Sequence, residues 1–116
     1  MKKVVIIVAG GRGIRMNSEI PKQFLQLKNK PILIHTIESF IHFDERILVL
    51  PKYQFEYWNK LCLENNFKLS HQIVEGGNNR FQSVKNGLKK VDDNSVVAIH
   101  DGVRPLVSEN LINSLV

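Results

Sequence analysis

Arg15 and Lys22 stand seven positions apart, directly after the stretch Gly10-Gly11-Arg12-Gly13. Glycines at the end of a strand let backbone N–H groups come close to a ligand, because no side chain stands in the way. Two cationic side chains beside such amides make a site for a polyphosphate. The distribution of charge agrees with this reading. Residues 1–30 carry seven Lys or Arg and one acid, Glu19, whereas the remaining 86 carry nine Lys or Arg against ten acids. The net charge of +5 is therefore concentrated around the glycine stretch, as an anionic ligand favours.

Two common phosphate-binding loops do not fit. The dinucleotide fingerprint G-x-G-x-x-G finds Gly11 and Gly13 in place but Met16 at its third glycine. It also requires an acid near the end of the second strand to hold a ribose, where this chain has Val49-Leu50-Pro51. The P-loop requires Gly-Lys-Ser or Gly-Lys-Thr, and neither occurs. Hydride transfer with a nicotinamide cofactor is excluded on the first ground.

What does match is Ala9-Gly10-Gly11-Arg12-Gly13-Ile14-Arg15-Met16 followed by Pro21-Lys22-Gln23-Phe24. This resembles the nucleotidyltransferases that join a nucleoside triphosphate to a sugar or polyol phosphate, and in its closer form the cytidylyltransferase branch. Two later segments extend the likeness. Gly76-Gly77-Asn78-Asn79-Arg80-Phe81-Gln82-Ser83-Val84 is similar to the family's segment that meets base and ribose, and His100-Asp101-Gly102-Val103-Arg104-Pro105 to its His-Asp-x-x-Arg-Pro. With three motifs in order, the chain most resembles the N-terminal part of the 2-C-methyl-D-erythritol 4-phosphate cytidylyltransferase family. The ribitol 5-phosphate cytidylyltransferases have very similar loops, and a nucleotide-binding module without turnover is the alternative from another class.

The resemblance implies a set of roles. Ala9, Gly10, Gly11 and Gly13 contact CTP. Arg15 and Lys22 are catalytic, stabilising negative charge at the α-phosphorus and on the leaving pyrophosphate. Gly77 through its backbone and Ser83 through its hydroxyl read the pyrimidine edge, with Arg80 bracing the loop. The family commonly has acids where Asn78 and Asn79 stand, which leaves contacts by those two side chains open. Asp101 contacts CTP and is the candidate ligand of Mg²⁺, a cation that takes few protein oxygens and completes its shell with phosphate and water. Arg104 holds the acidic acceptor or fixes Asp101; the ordinary alternative is a surface ion pair of little worth. A homodimer of the full-length protein is also implied.

The elements that must position these residues alternate between strand and helix. Val4 to Ala9 reads as a strand buried on both faces. Lys28-Asn29-Lys30-Pro31 is a turn, with Pro31 in the first turn of a helix. Leu33, Ile34, Ile37, Phe40 and Ile41 predict an amphipathic helix of about three turns. Arg46–Leu50 is a second strand, and Phe55, Trp58, Leu61 and Cys62 mark a helix ending near Asn65-Asn66. Leu69–Val74 is a third strand, Phe81, Val84, Leu88 and Val91 a third helix face, and Ser95–Ile99 a fourth strand. Ser108 caps a last helix. The fold class is α/β: a Rossmann-like three-layer sandwich with a mostly parallel sheet, which the resemblance narrows to the nucleotide-diphospho-sugar transferase type. In such a sheet, ligands bind beyond the carboxyl ends of the strands, where loops 9–22, 76–83 and 100–105 fall. Four strands and a helix without a cap predict that residues 1–116 are the N-terminal, nucleotide-binding part of a single larger domain.

Composition sets the outer bounds. With 43% apolar and 23% charged residues the chain is an ordinary globular sequence. No apolar run approaches the roughly 20 residues of a membrane span. Met1-Lys2-Lys3 imitates an export signal, but the six-residue apolar run after it ends in the glycine stretch. A single cysteine, Cys62, excludes an internal disulfide and makes a cytoplasmic location the expectation. Cys62 lies on a helix face with large apolar residues and reads as an inert buried thiol. His35, His42 and His71 have no ligand spacing with one another or with Cys62, so no zinc site is expected. His100 reads as a satisfied strand-end histidine rather than a catalyst. Nucleic acid is not expected as a partner, because Phe40, Phe55, Trp58 and Phe81 fall at helical spacing, as core residues do, rather than among a line of cations.

Overall fold

A run of apolar residues with no polar alternation makes a strand only where both faces are covered. Val4, Val5, Ile6, Ile7, Val8 and Ala9 are all buried. The computed structural model of the protein describes residues 2–9, 26–27 and 29–101. Strand β1 (Lys2–Val8) is the centre of its sheet. A two-residue ribbon follows, β2 (Gln26–Leu27) antiparallel to β3 (Lys30–Pro31), closed by Asn29 in the left-handed region at φ 70°. Helix α1 (Ile32–Glu38) leads to β4 (Glu45–Leu50), and α2 (Phe55–Glu64) to β5 (Gln72–Glu75). Helix α3 (Arg80–Leu88) leads to β6 (Ser95–Asp101). The four long strands pair in parallel in the order β5-β4-β1-β6.

One face of the sheet packs against α1 and α2 through Val5, Ile7, Leu48 and Leu50 with Leu33, Ile34, Ile37, Trp58 and Leu61. The other packs against α3, with Val4, Ile6, Val8, Ile47, Val49 and Val74 meeting Val84 and Val91. This is the expected three-layer α/β sandwich. The α2 boundary also falls where expected. Asn66 takes φ 54°, and the N–H groups of Phe67 and Asn66 donate back to the Cys62 and Leu63 carbonyls, closing the last turn with the paired bonds of a Schellman motif.

Two expectations are corrected. Helix α1 ends at Glu38, a turn earlier than the apolar spacing implied, and Ile41 is 55% exposed. Beyond Glu38 the bonding shortens to three residues, Phe40 N–H to the Ile37 carbonyl and Phe43 N–H to the Phe40 carbonyl. Three-residue spacing stacks Ile37, Phe40 and Phe43 on one side. Phe43 thus takes the core place assigned to Ile41, its ring edge-on to Phe40 at 5.1 Å. In α3, Phe81 is 75% and Leu88 44% exposed, so neither belongs to the core. The helix instead docks through the small residues Ser83 and Gly87, both buried. A Cβ on Gly87 would lie 2.9 Å from Cγ2 of Ile6. The absence of that atom lets the backbone lie against β1.

Two buried side chains, Arg46 and Trp58, find polar partners, whereas Glu45 Oε1 and Ser95 Oγ are buried without one among the described residues. Arg46 donates from Nε to the Ser70 carbonyl at 2.9 Å and from Nη1 to the Phe40 and Phe43 carbonyls at 3.0 and 2.7 Å. It thereby ties the turn entering β4 to the segment entering β5. Trp58 Nε1 donates to His71 Nε2 at 3.1 Å. Indole can only donate, so the His71 proton resides on Nδ1 and goes to the Leu69 carbonyl at 2.8 Å.

That tautomer makes stability depend on pH. Burial lowers the His71 pKa, the Leu69 carbonyl raises it, and the charge of Arg46 lowers it further. The unfolded chain therefore binds the proton more readily. The contribution of His71 is complete above the ordinary value of about 6.5 and is lost as pH falls below it toward the lowered folded-state value. Chemical denaturation should show stability falling from about pH 7 to about pH 5, and His71→Gln should flatten that slope. An unchanged slope in the variant would remove the assignment.

Candidate nucleotide site at the carboxyl edge of the sheet

The order β5-β4-β1-β6 fixes where loops can meet. From β1 the chain steps outward through β4 to β5, then returns over the other face through α3 to pair β6 with the far side of β1. The direction of winding reverses between β1 and β6, and in open α/β sheets it is at such a reversal, beyond the carboxyl ends, that ligands bind. Ala9 continues β1 for one residue, its N–H donating to the Val49 carbonyl at 2.9 Å. Asp101, the last residue of β6, is the register partner of Val8. Ala9 and Asp101 are thus brought to one edge at the reversal point. Gly10, Gly11, Gly13, Arg15 and Lys22 lie outside the described residues, as does Arg104.

The strand pleat assigns sides. His100 packs its ring against Phe40 at 5.0 Å, which puts it on the face covered by α1. Asp101, next in the strand, is therefore on the α3 face. The loop after β5, residues 76–83, starts from the same edge. Gly76 N–H donates to the Leu50 carbonyl at 2.7 Å, which anchors the loop after β5 to the end of β4. β5 is two strand spacings, about 10 Å, from β1.

This loop is closed onto α3 by amides and a hydroxyl. Asn79, extended at φ −149° and ψ 176°, caps the helix, with Oδ1 accepting the Gln82 N–H at 2.8 Å. Gly77 N–H donates to Ser83 Oγ at 3.0 Å, and Ser83 is only 3% exposed. Asn86 Nδ2 donates to the Glu75 carbonyl at 3.0 Å, and Gln82 Nε2 to Asn86 Oδ1 at 3.4 Å. Gly77 must be glycine for reasons of space. A Cβ there would lie 2.2 Å from Gln82 Cγ and 2.5 Å from its Cβ.

The geometry redistributes the expected roles. Gly77 and Ser83 are brought together, but bonded to each other, leaving the Ser83 O–H as the donor still to be placed. Arg80 does not brace the loop; it stands exposed, and Asn79, Gln82, Ser83 and Asn86 supply the bracing. No acid occupies the first turn of α3, so Arg80 adds positive charge to the positive end of the helix dipole. Asn79 keeps the capping function that an Asp would serve there, without its charge. Gln82 and Asn86 went unread in the sequence. The signals for them are Asn79-x-x-Gln82, a relative of the capping box, and the amide pair at i, i+4.

Among the described residues no cluster of three or more His, Cys, Asp or Glu side chains could hold a metal ion. Burial pushes the Cys62 thiol up to about 11, which suits the expected inert role. No described helix is long and apolar enough to cross a membrane. Among the described residues the carboxyl edge of the sheet thus carries the carboxylates of Asp101 and Glu75 and the exposed guanidinium of Arg80.

Comparison with known proteins identifies the family of the chain. The family model described as IspD, 2-C-methyl-D-erythritol 4-phosphate cytidylyltransferase, matches residues 3–116. A protein of that name from Azobacteroides pseudotrichonymphae is 59% identical over 116 residues, covering 97% of this chain and 52% of the relative. One from Bacteroides fragilis is 53% identical over 115 residues, with the same coverage. The crystal structure of 4-diphosphocytidyl-2C-methyl-D-erythritolsynthase from Anaerococcus prevotii superimposes with a TM-score of 0.77 at 29% identity, covering 97% of this chain and 48% of that one. The chain spans about half the length of the curated relatives it matches. With its sequence matched almost throughout and its sheet superimposed, this chain belongs to the 2-C-methyl-D-erythritol 4-phosphate cytidylyltransferase family.

Proposed function

We propose that the protein at its natural length is a cytidylyltransferase that moves CMP from CTP to 2-C-methyl-D-erythritol 4-phosphate and releases pyrophosphate, a step of isoprenoid biosynthesis. The observation that carries the reading is the convergence of Ala9, Asp101 and the Gly76–Ser83 turn on one edge of the sheet, on and beside its reversal point. Base and ribose meet the turn after β5, and the triphosphate lies across the end of β1, where Ala9 leads into the glycine stretch.

A phosphate oxygen of the acceptor attacks the α-phosphorus of CTP in line. A new P–O bond forms as the bond to the β-phosphate oxygen breaks, and both electrons leave with pyrophosphate. A phosphate monoester is largely dianionic at neutral pH, its second pKa being about 6. The attack therefore needs no general base. Positioning and charge neutralisation carry the rate. Arg15 and Lys22 supply cations where negative charge is most crowded, and Arg80 adds an exposed guanidinium near the nucleoside. Arg104 holds the acidic acceptor or fixes Asp101.

The Asp101 carboxylate, with no cluster of three or more His, Cys, Asp or Glu among the described residues, fits a cation held mainly by phosphate oxygens and water. Mg²⁺ bound this way would lower the charge of the triphosphate and its leaving group, and Asp101 would be the residue that holds it. Since the cation comes with the nucleotide, Asp101→Asn should raise the Mg²⁺ needed for half-maximal turnover. We place the protein in the cytoplasm and propose that it acts as a homodimer, without nucleic acid or membrane partners.

Steady-state pyrophosphate release with CTP, Mg²⁺ and either 2-C-methyl-D-erythritol 4-phosphate or ribitol 5-phosphate tests the reading. Turnover with the first acceptor is expected; preference for ribitol 5-phosphate would reassign the substrate, and binding of CTP without turnover would reduce the protein to a binding module. Arg15→Ala and Lys22→Ala should each cut kcat by about 10²–10³ with the fold intact. Near-normal turnover would strip either residue of its role. Gly77→Ala, which drives a methyl group into Gln82, should raise KM for CTP by about tenfold, equivalent to about 1.4 kcal/mol of binding. An unaltered KM would mean that the turn does not meet the nucleotide.

A further inference from the structure

The peptide unit joining Glu75 to Gly76 is held at both ends. Its N–H donates to the Leu50 carbonyl at 2.7 Å, and its carbonyl accepts Asn86 Nδ2 at 3.0 Å. The next N–H, that of Gly77, is held by Ser83 Oγ at 3.0 Å. Two successive peptide units therefore have fixed planes just where β5 gives way to the turn. The two fixing side chains, Ser83 and Asn86, lie three residues apart on the side of α3 that meets the turn.

Asn86 is suited to its place by having both a donor and an acceptor. Nδ2 reaches the Glu75 carbonyl while Oδ1 accepts from Gln82 Nε2 at 3.4 Å. Gln82 in turn occupies the space that a side chain at Gly77 would fill, and its own N–H is held by Asn79 Oδ1. Turn and helix are joined by a chain of bonds, Glu75 to Asn86, Asn86 to Gln82 and Gln82 to Asn79, beside which Gly77 is bonded to Ser83. Asp has no N–H to give and would set oxygen against oxygen at Glu75. Ala would leave the carbonyl to water.

We propose that Asn86 is a positioning residue for nucleotide capture: by pinning the Glu75 carbonyl it sets the plane from which the Gly76–Gly77 turn meets the base and ribose of CTP. The inference rests on the cytidylyltransferase reading and deepens it. Asn86 touches no substrate. It acts by removing the freedom of a glycine pair that would otherwise have to be ordered on binding, so its effect belongs to CTP affinity and not to the transfer step.

The test uses the protein at its natural length with three variants: Asn86→Asp, Asn86→Ala and, as a control, Val91→Ala, which thins packing onto the same face of the sheet without touching the turn. Steady-state kinetics and calorimetric CTP binding are read beside the melting temperature. Both Asn86 variants are expected to raise Kd and KM for CTP about five- to tenfold, the scale of one lost hydrogen bond. The acceptor KM and kcat should stay within about twofold, and Val91→Ala should leave CTP affinity unchanged at a comparable loss of melting temperature. CTP affinity equal to wild type in both Asn86 variants overturns the inference while leaving the proposed function standing. A loss that follows melting temperature equally in Val91→Ala, or failure of both Asn86 variants to fold, makes Asn86 a merely structural residue and also overturns it. Wild-type protein that binds no CTP sinks the proposed function and this inference together.

Discussion

β1 is hydrogen-bonded in parallel along both edges, to β4 and β6, and covered on both faces, by α1 and α2 on one side and α3 on the other. The enclosed part of such a strand favours apolar side chains, and Val4 to Val8 is uniformly apolar while Lys2 and Lys3 stand at its less buried start. It also leaves the chain one exit at the carboxyl end, through Ala9. Everything with chemical potential is referred to that exit. β6 is placed so that Asp101 sits level with Val8, and α3 must cross the sheet to deliver β6, which carries its own start to the same edge.

The crossing helix is held close by what it lacks. Gly87 permits contact with Ile6 and Val49 at distances that a methyl group would violate. Ser83, one turn earlier, is small enough to be buried while its oxygen stays available to Gly77. The same face of α3 therefore does two jobs: it packs the layer and organises the turn. A bulkier face would bury more apolar area, about 25 cal/mol for each Å², but would push the helix N-terminus away from the loop it fixes.

Much of this was legible in the sequence. The alternation of short apolar runs with amphipathic stretches identified the α/β sandwich, because periods of about two and 3.6 residues report the surroundings of each element directly. The stop at Asn65-Asn66 was legible from residues that tolerate a left-handed turn. What could not be read follows from what periodicity detects, namely large apolar side chains. Phe81 and Leu88 drew the eye to a stripe that faces outward, while the docking face rests on Ser83 and Gly87, which carry no hydrophobic signal. The shift from four- to three-residue bonding after Glu38, which brings Phe43 inward and turns Ile41 out, comes from the geometry of the turn into β4. At the site, Ala9, Gly77, Ser83 and Asp101 fall on or beside the edge named from the motifs, and the amide chain of Gln82 and Asn86 emerged only in three dimensions. Gly10, Gly11, Gly13, Arg15, Lys22 and Arg104 are read from sequence alone.

The register of β1 with β6 also has a consequence in time. Lys2 lies opposite Ser95 and Val8 opposite Asp101, so the two partners are separated by about 90 residues of chain. Synthesis at about 5–20 residues per second leaves an interval of about 5–20 s between the emergence of one and the other. Throughout that interval the most apolar segment of the protein has one edge without its mate, and it is sheltered only by α1, β4, α2, β5 and α3 as each emerges in turn. The arrangement that secures the nucleotide edge in the finished molecule thus makes the nascent chain most vulnerable to wrong partners at its very beginning.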